Sequence, residues 1–173
     1  MKSDLTAPVS THSRHERAHS ERSFEFLAEA ELSVVAPLFG AHKERLWAPN
    51  WDPRFIWPLP AEDRPGMVFT VSGAHGTAIW INTCFEPQNG RVQYAYVLEN
   101  AMTTLITLCL TPRGEYTHVA VAYERTALQS RADAWVARMA DQDARAGDEW
   151  SAQINEYLRA VRRGLAEEVD APR

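Results

Sequence analysis

The segment that most constrains the fold is the C-terminal stretch from about Leu128 to Leu165, which contains no proline. Its large apolar residues are separated by four, eleven, four, four and three positions, which correspond to whole turns of an α-helix. These residues are Trp135, Met139, Trp150, Ile154, Leu158 and Val161. The spacing therefore predicts one long helix with a single buried face.

The buried face of this helix has a gap between Met139 and Trp150, where three successive turns carry only polar or small residues. The residues in the gap are Asp143, Ala146 and Gly147. Because they offer no bulk to a core, we expect a cavity beneath them, with Trp150 at one end. A straight helix of this length would span about 57 Å, too long for a compact domain, so we also expect a bend, most readily at Gly147.

The length of 173 residues and the 45% of hydrophobic residues are sufficient for one domain with a real core. Residues 1 to 21 are polar and contain hardly any hydrophobic residue after Val9, so they are predicted to form a flexible tail. The predicted division is a tail at 1–21, one domain at 22–165 and a second flexible tail at 166–173.

The formal charge of −5, without a basic patch, argues against a protein that reads a nucleic-acid backbone. The N-terminus lacks the apolar core of a signal peptide, and no apolar run is long enough to cross a bilayer. These features predict a soluble cytoplasmic protein that does not bind nucleic acid or insert into membranes.

The sequence shows no pattern that requires a metal or a cofactor. Cys84 and Cys109 lie in strand-like stretches without ligand spacing, so they are expected to be buried thiols. His12, His15 and His19 would share one face of a helix and could then bind zinc or nickel, but no carboxylate or cysteine completes the set. A solvated polar tail is the favoured interpretation, and no cofactor is predicted.

The folded part is expected to begin with a strand from Ser23 to Ala30, in which aromatic and polar residues alternate. The next segment, Leu32 to Trp47, has helical spacing with Ser33 as its N-cap. Pro37 and Gly40 must break or shorten this helix, so two short helices are as compatible as one.

The connection after this helical segment is rich in tryptophan and proline, and its sequence is WAPNWDPRFIWPLPAEDRPG. Prolines remove backbone hydrogen-bond donors, so such a connection needs support from packing. Trp47, Trp51 and Trp57 are the residues expected to anchor it.

Five strand-like runs rich in β-branched and aromatic residues follow, joined by short connections. They are Met67 to Ser72, Thr77 to Glu86, Val92 to Glu99, Thr103 to Thr111 and Tyr116 to Thr126. Asn89-Gly90 suits a tight primed hairpin turn. With the first strand, this predicts an α+β helix-grip fold, in which a curved antiparallel sheet of about six strands wraps around the long C-terminal helix.

Four pieces of the chain resemble the SRPBCC or START-like superfamily, which includes polyketide cyclase and dehydratase-like proteins and binders of lipids or hormones. They are HKERLWAPNWDP, Gly66 to Phe69, Trp80, and Tyr123 to Leu128 leading into a helix with Trp150 and Tyr157-Leu158. The resemblance covers roughly residues 23 to 162. It implies an apolar cavity between sheet and helix that holds a small hydrophobic ligand, but it carries over no catalytic residue, because members share the cavity rather than a fixed catalytic set.

The best candidates for the cavity wall come from strand parity. Tyr94 and Tyr96 share one face of their strand and are expected to point inward, where a phenol can bind a ligand oxygen or a backbone carbonyl. Trp80 and Asn82 share a face of the preceding strand, and parity alone leaves open whether they line the cavity or lie outside it.

Tyr123 and Arg125 share a face of the last strand, and strand parity again leaves open whether they line the cavity or lie outside it. If Arg125 faces inward, its buried charge requires a partner, and Asp143 or Asp148 of the C-terminal helix is available. The predicted ligand-binding set is Tyr94, Tyr96, Trp80, Asn82, Tyr123, Arg125, Asp143 and Trp150.

Two functions share the predicted cavity, and a third does not need it. The first is binding of a small lipid, polyketide or aromatic molecule, and the second is a cofactor-free enzyme of the cyclase or dehydratase kind. They differ in whether an acid or base of shifted pKa borders the cavity, and the sequence fixes no nucleophile or carboxylate beside His42, His75 or His118. The third is a protein-interaction module, and a homodimer through a sheet edge or the tryptophan-rich loop is possible.

Overall fold

Seven strands form one curved antiparallel sheet in residues 16–164, the part of the chain that the computed structural model describes. They are β1 (His19–Ala28), β2 (Arg54–Trp57), β3 (Val68–Gly73), β4 (Gly76–Glu86), β5 (Arg91–Leu98), β6 (Met102–Arg113) and β7 (Tyr116–Ala127). Their order is β1-β7-β6-β5-β4-β3-β2, so every neighbouring pair except β1 and β7 is consecutive in sequence. The predicted α+β helix-grip class is confirmed.

The five consecutive strands lie within two residues of their predicted ends, because the alternation of buried and exposed side chains marks them clearly. In β6, Met102, Thr104, Ile106, Leu108 and Leu110 are buried while their neighbours are half-buried or exposed. Such alternation leaves one register that buries the apolar face.

The sheet has one strand more than the six predicted from the sequence, because β2 lies inside the tryptophan-rich and proline-rich connection. Its four residues pair with β3 at the edge of the sheet, with a register shift between Phe55 and Trp57. Prolines flank the strand rather than interrupt it, and an edge position requires hydrogen bonds on one side only. Trp57 is not an anchor, because 49% of its surface is exposed.

The other two tryptophans of this connection do anchor it. The indole N–H of Trp47 donates to the carbonyl of Leu38, and that of Trp51 donates to the carbonyl of Ala41, both at 2.8 Å. Each ring is at least partly buried in the main core. Two indoles thereby hold the loop against the preceding segment, where prolines leave few backbone donors.

Strand β1 begins at His19, before the expected Ser23, and it includes the last residues of the expected 1–21 tail. His19 pairs with Thr126 of β7, and its ring lies 2.9 Å from the threonine hydroxyl. His12 and His15 lie outside the described residues. Because His19 is in a strand, it does not belong to a helical histidine face.

The segment after β1 contains only short helical turns. They are α1 (Leu32–Val35) and two 3-10 turns, Ala36–Phe39 and Lys43–Leu46. Pro37 and Gly40 shorten the segment as expected, but Ser33 is not the cap: Glu31 occupies the N-cap position without a side-chain hydrogen bond.

The β4–β5 connection is a 3-10 turn, Pro87–Asn89, rather than the primed two-residue turn expected for Asn89-Gly90. Gly90 ends it with a φ of 66°, and a Cβ at this position would lie 2.1 Å from the carbonyl oxygen of Leu110. Glycine is therefore required here by both conformation and space.

The C-terminal stretch forms two helices instead of one, α2 (Ser130–Asp143) and α3 (Ala146–Arg162). The break falls at residues 144 and 145, slightly before the bend expected at Gly147. Gly147 lies in the first turn of α3, where a Cβ would stand 3.1 Å from the Phe24 ring. Its absent side chain allows α3 to approach β1 closely.

The main core lies between α3 and the inner face of the sheet, and a smaller cluster of Met102, Ala127, Ala132 and Val136 lies beneath α2. Cys109 is exposed and Cys84 is half-buried, so the expectation of two buried thiols was wrong. Cys109 sits on the outer face of β6, opposite the buried Leu108 and Leu110. Within residues 16–164, no helix combines the length and apolar character needed to cross a bilayer.

Candidate functional site

A cavity of about 260 Å³ lies between the inner face of the sheet, α3 and the loop that follows the Lys43–Leu46 turn. Its wall is largely aromatic, with four tryptophans, two tyrosines and one phenylalanine. The lining residues are Phe39, Glu44, Trp47, Ala48, Pro49, Asn50, Trp51, Trp80, Tyr94, Ile106, Leu108, Tyr123, Glu149, Trp150 and Gln153. Concave, apolar sites with a few polar groups are typical of small-molecule binding.

Trp150 is the residue through which α3 contributes most to this wall. Its ring stacks on Phe39 with a centroid distance of 6.2 Å and meets Trp47 edge-on at 5.6 Å. It also contacts Phe24 and Tyr123 edge-on. Mutual ring packing holds the aromatic wall in one arrangement before any ligand binds.

The cavity is not where the gap in the helical stripe predicted it. None of the residues from Asp143 to Gly147 borders it; α3 reaches it about one turn later, through Glu149, Trp150 and Gln153. Side chains of the sheet fill the expected space, since Phe24 packs against Gly147 and Arg125 reaches Asp143. Side chains of the sheet therefore occupy the space that the small residues of the helical stretch leave free.

Arg125 and Asp143 form the ion pair that the sequence suggested, whereas Asp148 takes no part in it. The guanidinium donates two hydrogen bonds, Nε to Oδ2 at 2.6 Å and Nη2 to Oδ1 at 2.7 Å. Nη1 donates to the hydroxyls of Thr104, at 2.9 Å, and Tyr96. Burial opposes the charge, but the Asp143 hydrogen bonds and the electrostatic effects of Asp143, Tyr96 and Tyr123 together outweigh it and raise the pKa of Arg125. The cation is fully paired.

Tyr94 is buried in the cavity wall and its hydroxyl is saturated by backbone groups. The Ala41 N–H donates to it at 2.9 Å, and it donates to the Phe39 carbonyl at 3.0 Å. Burial raises the pKa of the phenol, and the carboxyls of Asp63 and Glu44 raise it further. Tyr94 therefore holds the Phe39–Ala41 segment in place.

Tyr123 also lines the cavity, but its hydroxyl makes no hydrogen bond to any residue from 16 to 164. Burial raises its pKa, so the phenol stays neutral across the physiological range. The Arg125 guanidinium lies 4.7 Å from the centre of its ring. Its hydroxyl is thus available to a ligand.

Trp80 and Asn82 both point inward from β4, which answers the question that strand parity left open. The Trp80 ring borders the cavity and stacks against Tyr96 at a centroid distance of 4.3 Å. Its indole N–H is buried and has no acceptor among the described residues. The Asn82 side chain is fully buried, and its amide is unpartnered within the same residues.

Glu44 is a cavity residue of raised pKa that the sequence analysis missed. Its carboxyl borders the cavity, and it has no hydrogen-bond donor and no cation among residues 16–164. Burial, reinforced by the nearby Asp63 carboxyl, raises the pKa of Glu44 to about 8. In the sequence, a single glutamate before Trp47 cannot be distinguished from a charged surface residue. No sequence pattern could therefore have identified Glu44 as a cavity residue.

Asp63 comes close to Glu44 because it folds over the backbone of Gly40. A Cβ on Gly40 would lie 2.2 Å from the Asp63 carboxyl oxygen, and the carboxyl accepts a hydrogen bond from the His42 N–H at 3.0 Å. Burial raises the pKa of Asp63, although this backbone hydrogen bond opposes the shift. Two carboxyls thus lie near each other beside the aromatic wall.

Four of the eight predicted ligand-binding residues line the cavity: Trp80, Tyr94, Tyr123 and Trp150. The other four, Asn82, Tyr96, Arg125 and Asp143, lie outside its lining. His42, His75 and His118 are also outside it. In the described part of the chain, no group of three or more His, Cys, Asp and Glu side chains could hold a metal ion.

A second depression, of about 620 Å³, lies near α1 and the β4–β5 and β6–β7 connections. Its lining includes three prolines and a single charged residue, Glu31. It lacks the aromatic wall of the first cavity, which is therefore the better candidate site.

Comparison with solved structures supports the fold. Ara h 8.0201 is similar over 83% of this chain and 99% of its own, with a TM-score of 0.63 and 11% identity. Norcoclaurine synthase from Thalictrum flavum, in complex with dopamine and hydroxybenzaldehyde, is similar over 97% of this chain and 99% of its own, with a TM-score of 0.60 and 9% identity. CalU16 from Micromonospora echinospora is similar over 87% of this chain and 89% of its own, with a TM-score of 0.58 and 15% identity. No family model matches the sequence, and no curated protein matches it significantly.

Proposed function

We propose that this protein binds a small, largely apolar molecule in the aromatic cavity beside α3. The observation that carries the proposal is the wall itself, in which seven aromatic rings surround about 260 Å³ of space. That volume is slightly below the usual range for drug-sized ligands, so a molecule of about ten to fifteen non-hydrogen atoms is the expected size. We also infer membership of the SRPBCC superfamily, on the basis of the helix-grip fold and the sequence resemblance.

The structural neighbours are compatible with this proposal. The norcoclaurine synthase structure contains dopamine and hydroxybenzaldehyde, which are small aromatic molecules. At 9% identity this similarity concerns the fold alone, so the argument for ligand binding rests on the cavity of the present chain.

The alternative function is cofactor-free acid–base catalysis in the same cavity, and Glu44 specifically favours it. A carboxyl whose pKa is near 8 is poised to exchange a proton at neutral pH, as a general acid or base must. Glu44 would be that group, and the free hydroxyl of Tyr123 would orient a polar ligand atom. Conversion of a bound ligand by the wild type but not by Glu44→Gln would establish this alternative over simple binding.

The binding proposal is tested by blocking the cavity. Ala48 lines it, so Ala48→Trp should fill much of the space, whereas Ala152→Trp places the same bulk on the exposed side of α3. A panel of neutral aromatic and aliphatic compounds is screened by melting temperature and by quenching of tryptophan fluorescence. We expect compounds that raise the melting temperature of the wild type and of Ala152→Trp, with the increase abolished in Ala48→Trp. Equal shifts in all three proteins would show that binding occurs elsewhere.

A further inference from the structure

Two carboxyls in this protein, the buried Asp143 and the half-buried Glu44, have opposite surroundings. Asp143 is 5% exposed and receives two hydrogen bonds from Arg125, so its charge is neutralised within the protein. Glu44 borders the cavity and, among the described residues, receives no hydrogen bond and no cation. A carboxylate that loses water without gaining a partner costs several kcal/mol, so such a group is retained where something else supplies the partner.

The cavity around Glu44 is suited to a positive charge. Its lining contains a second acid, Glu149, and no lysine or arginine. Four tryptophan rings stand around the same space, and the face of an indole attracts cations more strongly than any other side-chain ring. Aromatic walls combined with a carboxylate are the chemistry by which proteins recognise organic ammonium groups.

We propose that the ligand of this cavity is a small organic cation, an ammonium group on an aromatic or apolar frame, with Glu44 as its counter-ion. This inference rests on the proposed binding function and narrows it to one chemical class. The frame fills the apolar part of the wall near Ile106 and Leu108. The ammonium group lies among the tryptophans beside the Glu44 carboxyl.

Proton exchange accompanies such binding, because the pKa of Glu44 is about 8 in the free protein. A bound cation favours the ionised carboxylate, so at pH 7 Glu44 releases its proton as the ligand enters. Other titratable groups also face this region. They are Asp63, Tyr94, Tyr123 and Glu149, with His42 and Lys43 adjacent to Asp63.

A pair of probes of nearly identical shape isolates the charge: phenyltrimethylammonium and its neutral counterpart tert-butylbenzene. Neither probe titrates, so any pH dependence belongs to the protein. We expect the wild type at pH 8 to bind the cation at least about ten-fold more tightly than the neutral compound. Glu44→Gln should remove most of this preference while binding tert-butylbenzene at least as well as the wild type.

Calorimetry in buffers of different ionisation enthalpy supplies the second readout. At pH 7 the wild type should release up to about one proton for each phenyltrimethylammonium bound, and Glu44→Gln should release far less. Glu149→Gln is the matched control, because it removes the other carboxylate of the cavity. It should retain most of the proton release.

The outcomes separate this inference from the function on which it rests. If the wild type and Glu44→Gln show the same ratio of affinities for the two probes, the cavity binds ligands but the preference for cations is wrong. Preference for tert-butylbenzene would also overturn it. If both probes and the whole neutral panel fail to bind the wild type, the proposed binding function is itself wrong.

Discussion

Arg125 and Asp143 join the last strand to the end of α2 through two parallel hydrogen bonds of 2.6 and 2.7 Å. Both residues are almost completely buried, with 3% and 5% of their surfaces exposed. Asp143 is the last residue of α2, so the pair holds the chain at the point where it turns into α3. It therefore influences how α3 closes one side of the cavity.

Breaking this pair should strongly destabilise the fold. Arg125→Met leaves the Asp143 carboxylate buried without its partner, and we expect a loss of about 3–5 kcal/mol in the free energy of unfolding, measured by urea denaturation. The double variant Arg125→Met, Asp143→Leu should recover much of the lost free energy of unfolding. Arg91→Met, which removes an exposed partner of Glu86, should change stability by no more than about 1 kcal/mol. A similarly small effect of Arg125→Met would contradict the structure.

Two tyrosines of the cavity wall provide a matched test of hydrogen bonding. Tyr94→Phe leaves the Ala41 N–H and the Phe39 carbonyl without partners, so it should lower the free energy of unfolding by about 1–3 kcal/mol. Tyr123→Phe removes a hydroxyl that bonds to no described residue, and it should change stability by less than about 0.5 kcal/mol. Equal losses in the two variants, measured in the same denaturant series, would show that the hydrogen bonds of Tyr94 are not what stabilises this wall.

Close contact between α3 and β1 predicts that Gly147 does not tolerate bulk. Gly147→Leu must displace the Phe24 ring and should lower the free energy of unfolding by about 1–3 kcal/mol. Gly147→Ala should be much milder, because alanine favours the helix by roughly 1 kcal/mol relative to glycine and offsets part of the crowding. Ala152→Leu on the exposed face of α3 is the control, expected within about 0.5 kcal/mol of wild type. Thermal or urea unfolding distinguishes these results, and full stability of Gly147→Leu would argue against this packing.

Glu44 should make the unliganded protein less stable as the pH rises. Its pKa is raised from 4.5 to about 8 on folding, so between these values the folded state holds more protons than the unfolded state. Stability conferred by the protonated carboxyl is complete below about pH 4.5 and is lost as the pH rises to about 8. Urea midpoints at about pH 5, 6.5 and 8 should fall for the wild type.

The same series on Glu44→Gln identifies the responsible group. This variant should show a smaller decline over the same range, and Asp63, whose pKa is also raised, should account for part of what remains. At pH 8 the variant should be more stable than the wild type, because an amide is less costly to bury than a carboxylate. Parallel pH profiles for the two proteins would show that Glu44 does not titrate in this window.

Local alternation of side chains predicted β3 to β7 and the helix-grip class, because burial of one sheet face imposes a period of two on each strand. The same parity placed Tyr94 and Tyr96 on the inner face. The charge of Arg125 on the strand face that carries Tyr123 was enough to suggest Asp143 or Asp148 as its partner. Each of these predictions follows from the alternation of buried and exposed residues within a single strand.

Other features depended on contacts between distant segments. Strand β2 was hidden among prolines, because pairing with β3 rather than local propensity creates it. The predicted cavity under Asp143 to Gly147 was displaced, because Phe24 and Arg125 enter that space from the sheet. Glu44 became a candidate functional residue only when Asp63 and the aromatic wall enclosed it.

The sequence by itself determined strands β3 to β7, the helical character of the C-terminal stretch and which face of each is buried, because these follow from spacing along a single strand or helix. Only the tertiary structure decided where space remains unfilled and which charge remains unpaired. The unfilled space and the unpaired charge each depend on the side chains that several elements place in one region. The sequence pattern of a single element does not contain that information. The C-terminal stretch illustrates this: its spacing correctly predicted a helical, one-sided segment, while the fold decided that Trp150, and not Asp143, borders the cavity.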